Sequence, residues 1–479
     1  MCGIIFLQGP NAGNRLPACL DKLKHRGPDD EHSLIRGDVT LGFTRLEING
    51  EGAIGKQPYC HDDWVGAVNG EIYNYKELSD QYKLDGSANC DTHVMLPLFI
   101  ELGGSVLNVL DGFYSAVFYN HRKRALYLLR DYMGKKPLFY GCSGNEFFVT
   151  SELKAIDNID WFKPAPRGLS CVDLSSQKIV DVEKHEYKKT KTSLVVSLTE
   201  AVSKRLPQAS QKVGMFLSGG LDSSIIAAIA SKYRQDLICF TLAGEGSPDH
   251  AMAVKVAKSL GLNDVRTVIV PSEALLGQYI KSIVYTTESF NPSIISNGLA
   301  TFLLAQAARS AGVKVVLTGE GADELFGGYF SHLEPHEFQA RRMQLISDMH
   351  YTELRRLDLC TMAHGIEARC PFLDQAVISV SDHLDFKDIY SGNNNKVILR
   401  NSFRDYLPKE IIERPKTSFD VGSGVRALVV QYLRRNGRSE KEELRNLWEQ
   451  QFDTDLTDTF FHSYPAFDAV IERRGNSHR

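Results

Sequence analysis

Cysteine pairs, long apolar runs and an excess of either charge are all missing from this sequence. Its nine cysteines are an odd number, with no two spaced as Cys-x-x-Cys, which argues against a disulfide scaffold and for a reducing compartment. No stretch approaches the roughly 18 apolar residues that a spanning helix needs. No basic segment precedes the short apolar run Ile4-Ile5-Phe6, so no signal peptide is read here. The formal net charge of −4 over 479 residues gives no reason to expect nucleic acid or a membrane surface as partner. Small molecules are the expected ligands and the cytoplasm the expected location. The length exceeds one ordinary core, so two or three domains are expected.

The first third is β-rich. Val39–Ile48, Trp64–Val68, Phe113–Tyr119 and Ala125–Arg130 are dense in β-branched and aromatic residues. His121–Arg124 reads as an exposed hairpin tip, and Leu96–Leu110 has helical spacing. Beyond about Lys184 strands and helices alternate. Strands are expected at Val213–Leu217, Leu237–Leu242, Val265–Val270 and Val313–Leu317, and helices at Ser223–Tyr233, His250–Leu260, Ala274–Thr287 and Leu299–Ala311. That alternation predicts a doubly wound parallel sheet. The chain from Glu334 onward reads as mainly helical, with Arg434–Glu449 as a charged, solvated surface helix. The lysine-rich stretch Glu183–Ser193 reads as a linker between domains at 2–184 and 194–479.

Cys2 follows the initiator Met and is small enough for that Met to be trimmed. A trimmed Cys2 would carry a thiol and a free α-amine of pKa about 7.7–8.0, so that one residue supplies nucleophile and general base. By itself an early cysteine is more simply an inert buried thiol. Its company is more specific: His25-Arg26-Gly27-Pro28-Asp29, Leu41–Leu46, Val68-Asn69-Gly70-Glu71-Ile72-Tyr73-Asn74 and Cys90-Asp91-Thr92 follow in order. A free amino acid presents a carboxylate, an ammonium and, in glutamine, an amide. Arg45 can clamp the carboxylate bidentately, and Glu71 and Asp91 can hold the ammonium. Singly, Arg45 reads as a surface ion pair and Asn69-Gly70 as a type I′ turn.

Two further clusters lie in the second half. Phe216-Leu217-Ser218-Gly219-Gly220-Leu221-Asp222-Ser223-Ser224 joins an apolar strand to a helix. Its glycines admit an anion to the backbone, and the helix start presents unpaired N–H groups. Ser218, Ser223 and Ser224 can donate to phosphate oxygens and Asp222 can hold Mg2+; the Lys of a Walker A loop is absent. After the fourth strand, Thr318-Gly319-Glu320-Gly321-Ala322-Asp323-Glu324 crowds carboxylates at a strand's C-terminal end, where open α/β sheets bind ligands and where a cation relieves repulsion.

Over residues 2–155 the ordered motifs, with Arg130-Asp131, Gly134 and Pro137-Leu138, resemble class II glutamine amidotransferases. The serine-glycine loop resembles that of ATP pyrophosphatases. With Ser247-Pro248-Asp249, Met362–Asp374 and Arg414-Pro415-Lys416 added, most of the chain resembles the glutamine-hydrolysing asparagine synthetase family. The resemblance implies an Ntn-type αββα sandwich followed by the parallel-sheet domain. It implies that Cys2 attacks glutamine while Asn69 and Gly70 bind the oxyanion, and that ammonia passes to the other domain along an internal route. It implies that Phe216, Leu242, Thr318 and Gly319 contact adenosine, with Ser218, Gly219, Gly220, Ser223 and Ser224 around the phosphates. Asp222 and Asp323 are then the Mg2+ ligands, Glu320 supports an acyl-adenylate, and Lys416 faces the phosphates. The substrates would be glutamine, aspartate and ATP, and a homodimer fits the family.

One departure bears on the acceptor: Ser296 stands at about the place where many such synthetases carry an arginine. The rival readings are a ligase of this scaffold acting on another carboxylate, and a non-catalytic regulatory relative.

Overall fold

The computed structural model describes residues 2–452 apart from 51, 85–88, 186, 188, 245–246, 330–333 and 393. The chain divides into two compact units, Met1–Tyr187 and Lys188–Thr361 with Ile366–Gln451, small flanking pieces aside. The proposed linker includes residues 186 and 188, which lie outside the described residues.

The described part of the first unit carries β1 (Gly3–Gln8), β2 (Asp30–Arg36), β3 (Val39–Arg45), β4 (Tyr59–His61), β5 (Trp64–Ile72), β6 (Gly112–Asn120), β7 (Ala125–Arg130), β8 (Phe139–Ser143), β9 (Glu146–Thr150), β10 (Trp161–Pro164), β11 (Gly168–Asp173) and β12 (Lys178–Glu183). They form two antiparallel six-stranded sheets, ordered β10-β8-β9-β1-β3-β2 and β12-β11-β7-β6-β5-β4. Successive side chains of a strand point to opposite faces, and that alternation builds the layers. Ile4, Phe6, Leu41 and Phe43 join Val65, Ala67, Val117 and Leu128 in one core between the sheets. Ile5 points the other way, toward Leu16 and Leu20 of helix Ala12–Leu23. On the second sheet Val68, Ile72, Ala116 and Phe118 pack on Met95, Leu98 and Phe99 of helix Met95–Leu102. The result is the four-layer αββα sandwich expected. Sheets covered on both faces read as nearly continuous apolar runs, and all nine residues of β6 are buried.

The second unit contains β13 (Val213–Phe216), β14 (Ile238–Ala243), β15 (Asp264–Ile269), β16 (Val315–Leu317) and β17 (Glu367–Arg369), all parallel, in the order β15-β14-β13-β16-β17. The chain winds outward from β13 to β15, then returns to build the other half from β16. Right-handed crossovers in opposite directions place helices on opposite faces, which is the doubly wound arrangement. The winding reverses between β13 and β16, so a crevice opens at their C-terminal ends.

Several expectations shift. The third strand stops at Arg45 rather than Ile48, and β5 runs on to Ile72. The helix expected at 96–110 ends at Leu102, because Gly103 adopts φ +57°, and continues as a 3-10 turn through Asn108. The helix expected at 299–311 begins at Pro292, where Asn291 caps it through Ser293 N at 3.0 Å. Arg434–Glu449 is not one solvated helix. A break at 435–439 separates helices Val425–Arg434 and Glu440–Glu449, and the second buries Leu444 and Trp448, with the Trp448 ring 5.8 Å from that of Phe290. Charge was the visible feature there; a two-residue apolar seam was enough to dock the helix.

Candidate functional site

Cys2 sits at the start of β1 and is buried. Register fixes its surroundings: Gly3 pairs with Thr44 on β3, and Asn69 lies opposite Ser115 in the centre of the β5–β6 pair. The Cys2 N–H donates to Asn69 Oδ1 at 2.9 Å. Asn69 is fully buried, and its Nδ2 finds no partner among the described residues. A buried, unpaired amide donor costs free energy unless something accepts from it. Asn69-Gly70 is therefore mid-strand, not a hairpin turn. A Cβ on Gly70 would come within 2.2 Å of Phe113 O, so β6 tolerates only glycine there.

Behind Cys2 lies a charge cluster in which Arg26, Glu152 and Lys154 are buried and His25 is partly exposed. Arg26 Nε donates to Cys2 O at 3.0 Å, and its guanidinium pairs with Glu152 Oε1 at 2.5 Å. His25 and Lys154 reach the same carboxylate at 3.0 and 2.6 Å. Burial opposes ionisation of Glu152, but the cations around it hold its carboxyl well below the usual range. Arg26 and Pro28 belong to a motif visible in the sequence; Glu152 was not singled out.

Arg45, at the end of β3, donates to the carbonyls of Gly50 and Gly52 and lies 3.2 Å from Glu47. Asn49 in the same loop donates to Glu71. Asp91 Oδ2 accepts from Ile72 N at 3.1 Å, next to Glu71 along β5. The structure thus joins Cys2 to Asn69 directly, and sets Arg45, Glu71 and Asp91 along the ends of β3 and β5.

In the second unit, a cavity of ≈ 400 Å³ opens at the switch point. Phe216 at the end of β13, Ser218 and Gly220 in the loop after it, and Asp222 and Ser223 in the first turn of helix Leu221–Ala230 line it, as do Thr318, Gly319 and Glu320 after β16 and Asp323 at the start of helix Ala322–Phe326, facing Lys416. Gly219, Ser224 and Leu242 do not line it. Gly219 holds φ +70° with Ala253 N 2.4 Å from where a Cβ would stand, so it lets the loop lie against helix Pro248–Ser259. Ser224 is buried one turn into helix Leu221–Ala230, its hydroxyl without a partner among the described residues. Leu242 is core. The two segments touch: a Cβ on Gly319 would be 2.9 Å from Ser223 N. Within the first segment the Ser218 and Ser223 hydroxyls are 3.1 Å apart, and Arg414 fixes Gly219 O at 2.9 Å and Asp249 at 2.6 Å.

Two lysines meet the two aspartates. Lys396 Nζ lies 2.6 Å from Asp222 Oδ2 and 2.5 Å from Asp323 Oδ1, and Lys416 Nζ lies 2.5 Å from Asp323 Oδ2. Burial raises the Asp323 pKa, but the two ammoniums outweigh it and lower the pKa overall. Lys416 is half-buried; desolvation lowers its pKa, but the same aspartates outweigh that and shift it upward. Lys396 holds φ +53°, a left-handed backbone conformation. Nothing near Asn394-Asn395-Lys396 in the sequence marks it, and its partners are 174 and 73 residues away. Burial pushes Glu324 to about 7, with Asp323 adding repulsion, and its carboxylate accepts from the Tyr329 hydroxyl at 2.9 Å. Burial likewise pushes Glu353 to about 8, aided by Glu324, Asp323 and Asp420. Arg356 joins Glu320 to Glu353 (2.7 Å) and to Thr301 Oγ1 (2.6 Å).

Asp222 Oδ1 is buried without a hydrogen-bond partner among the described residues, and the ammoniums of Lys396 and Lys416 both reach the two aspartates. A Mg2+ ion takes one or two protein carboxylates and fills its sphere with phosphates and water, which this donor pair fits. Among the described residues no group of three or more His, Cys, Asp or Glu forms a protein cage for a metal, and no helix is long and apolar enough to cross a membrane.

The model of the glutamine amidotransferase domain family matches residues 1–205, and that of the asparagine synthase family matches residues 194–345 and 334–470. The probable asparagine synthetase (glutamine-hydrolyzing) of Acanthamoeba polyphaga mimivirus is 33% identical over 474 residues, covering 88% of this chain and 85% of its own length. Asparagine synthetase (glutamine-hydrolyzing) 1 of Lotus japonicus is 32% identical over 469 residues, covering 88% and 78%. The Sandersonia aurantiaca asparagine synthetase (glutamine-hydrolyzing) is 32% identical over 468 residues, covering 88% and 87%. With both halves matched and this identity sustained across most of its length, the chain belongs to the asparagine synthase family, its N-terminal part to the glutamine amidotransferase domain family.

Proposed function

We propose that the chain is a glutamine-dependent asparagine synthetase, with a glutaminase domain at 2–184 and a synthetase domain at 194–479. The observation that carries this is the convergence of the Ser218–Ser223 and Thr318–Asp323 segments in one cavity, with Lys396 and Lys416 across Asp222 and Asp323.

At the first site, removal of Met1 makes the Cys2 nitrogen an amine beside Asn69 Oδ1. That amine takes the thiol proton, and the thiolate attacks the amide carbon of glutamine. The orphaned Asn69 Nδ2 and the Gly70 N–H donate to the oxyanion. Arg45 takes the carboxylate of glutamine, and Glu71 and Asp91 its ammonium. Collapse expels ammonia, and water then releases glutamate from Cys2.

At the second site the β-carboxylate of aspartate attacks the α-phosphorus of ATP and pyrophosphate leaves. Ser218, Ser223 and the start of helix Leu221–Ala230 hold the phosphates, Lys416 and Lys396 balance their charge, and Phe216, Thr318 and Gly319 bound the nucleoside. Asp222 and Asp323 would hold Mg2+, which supplies charge neutralisation to the triphosphate when bound. A free carboxylate would have to lose oxide to accept nitrogen. The β-aspartyl-AMP loses a phosphate monoester instead, so ammonia attacks and asparagine and AMP depart. Nine free thiols fit the reducing cytoplasm.

The test incubates the purified protein with aspartate, glutamine, ATP and magnesium and measures nucleotide and amino-acid products. AMP with asparagine is expected. ADP in place of AMP overturns the adenylation step, and AMP formed only with another carboxylate transfers the reading to a different acceptor.

A further inference from the structure

Five cations other than Arg356 line the synthetase cavity. Lys396 and Lys416 answer Asp222 and Asp323. Arg414 is spent on Gly219 O and Asp249, and Arg400 on the carbonyls of Asn395, Ile412 and Arg414. Arg426 pairs with Glu440 at 2.7 Å. Arg356 differs in its partners. Its side chain is 4% exposed; Nη1 is held by Thr301, and Nη2 is shared by Glu353 and by Glu320, whose side chain is the most exposed of the group at 27%. Glu320 can therefore swing into the cavity while the guanidinium stays.

We propose that Arg356 is the acceptor's carboxylate clamp: the α-carboxylate of the amino-acid substrate replaces Glu320 on the guanidinium, and Glu320 is released toward the reacting β-carboxylate. A guanidinium presents five N–H donors in a fixed fork, suited to exchanging one carboxylate for another. Glu353, 2.7 Å from the same guanidinium, puts an acid beside the clamp. The clamp therefore favours an acceptor that carries a second carboxylate besides the one that reacts. The proposal rests on the synthetase reading above. It also gives this chain a cation for the acceptor although Ser296, on the helix lining the same cavity, is a buried hydroxyl without a partner among the described residues.

The experiment compares L-aspartate with its α-amide, L-isoasparagine, as acceptors, reading AMP formation with ammonia as nitrogen donor. Wild type should favour aspartate in kcat/KM by roughly tenfold to a hundredfold, the span of one charge-assisted hydrogen bond. In Arg356→Gln the ratio should fall toward unity while the KM for ATP changes less than about threefold, and Arg356→Lys should recover part of the ratio. If the ratio persists in Arg356→Gln, or collapses instead in Arg426→Gln, the clamp is refuted. Thr301→Val, which removes only a brace, should lower the ratio severalfold and serves if Arg356→Gln does not fold; an unchanged ratio there counts against the proposal. Wild-type protein forming no AMP with aspartate would instead defeat the synthetase reading itself.

Discussion

At the scale of single residues, the two sites differ in how their polar atoms are satisfied. Asn69 divides its amide, with Oδ1 taken by Cys2 N and Nδ2 left without a partner among the described residues. Asn69→Ala should lower glutaminase kcat by a factor of 10² to 10³, about 2.7–4 kcal/mol of barrier, with the KM for glutamine changed far less. Steady-state glutamate release measures both, and a KM effect alone would make Asn69 a ground-state contact. Asn69 was legible because its neighbours recur in an ordered motif. Lys396 and Arg356 were not. Each is a long cation in an ordinary helical or polar stretch, and only the folded chain reveals that Asp222 and Asp323, or Glu320 and Glu353, stand opposite. Sequence spacing carries no signal for a partner 174 residues away.

At the scale of elements, apolar content was legible and its limits were not. Strands β3, β5, β6 and β7 were found as β-rich runs, but β5 extends through Asn69-Gly70-Glu71, residues of poor strand propensity. Pairing with β6 overrides propensity there, and that pairing is what places Asn69 beside Cys2. Gly70→Ala should cost about 1–3 kcal/mol, the usual range for overpacking, because the added methyl meets Phe113 O and Tyr114 Cα; urea unfolding should show a lower midpoint. The last described helix teaches the converse. Trp448→Ala should cost about 3 kcal/mol or more, as for other buried large-to-small changes, and a loss near zero would return that helix to the solvated surface first read from its charges.

At the scale of the whole molecule, the carboxylates of the synthetase cavity make stability pH-dependent. Glu324 and Glu353 have folded pKa values pushed up to about 7 and about 8, above the unfolded value of about 4.3. The folded state then binds protons more tightly than the unfolded chain. Their contribution is fully present below about pH 4 and is progressively lost as pH rises through 7 and 8. The melting temperature should fall by a few degrees between about pH 5 and 8, and Glu353→Gln should flatten that slope. The paired halves also make a chemical prediction: Cys2→Ala should abolish asparagine formation from glutamine while synthesis from ammonia continues. Assays with each nitrogen source read this directly, and glutamine use by Cys2→Ala would refute the nucleophile assignment.

The left-handed backbone of Lys396 ties chain path to charge. A residue with a Cβ pays roughly 1–2 kcal/mol to sit there, and its ammonium is anchored to two aspartates on two different helices. Whatever redistributes charge on Asp222 and Asp323 therefore acts on the ammonium of the residue that opens helix Val397–Ser402.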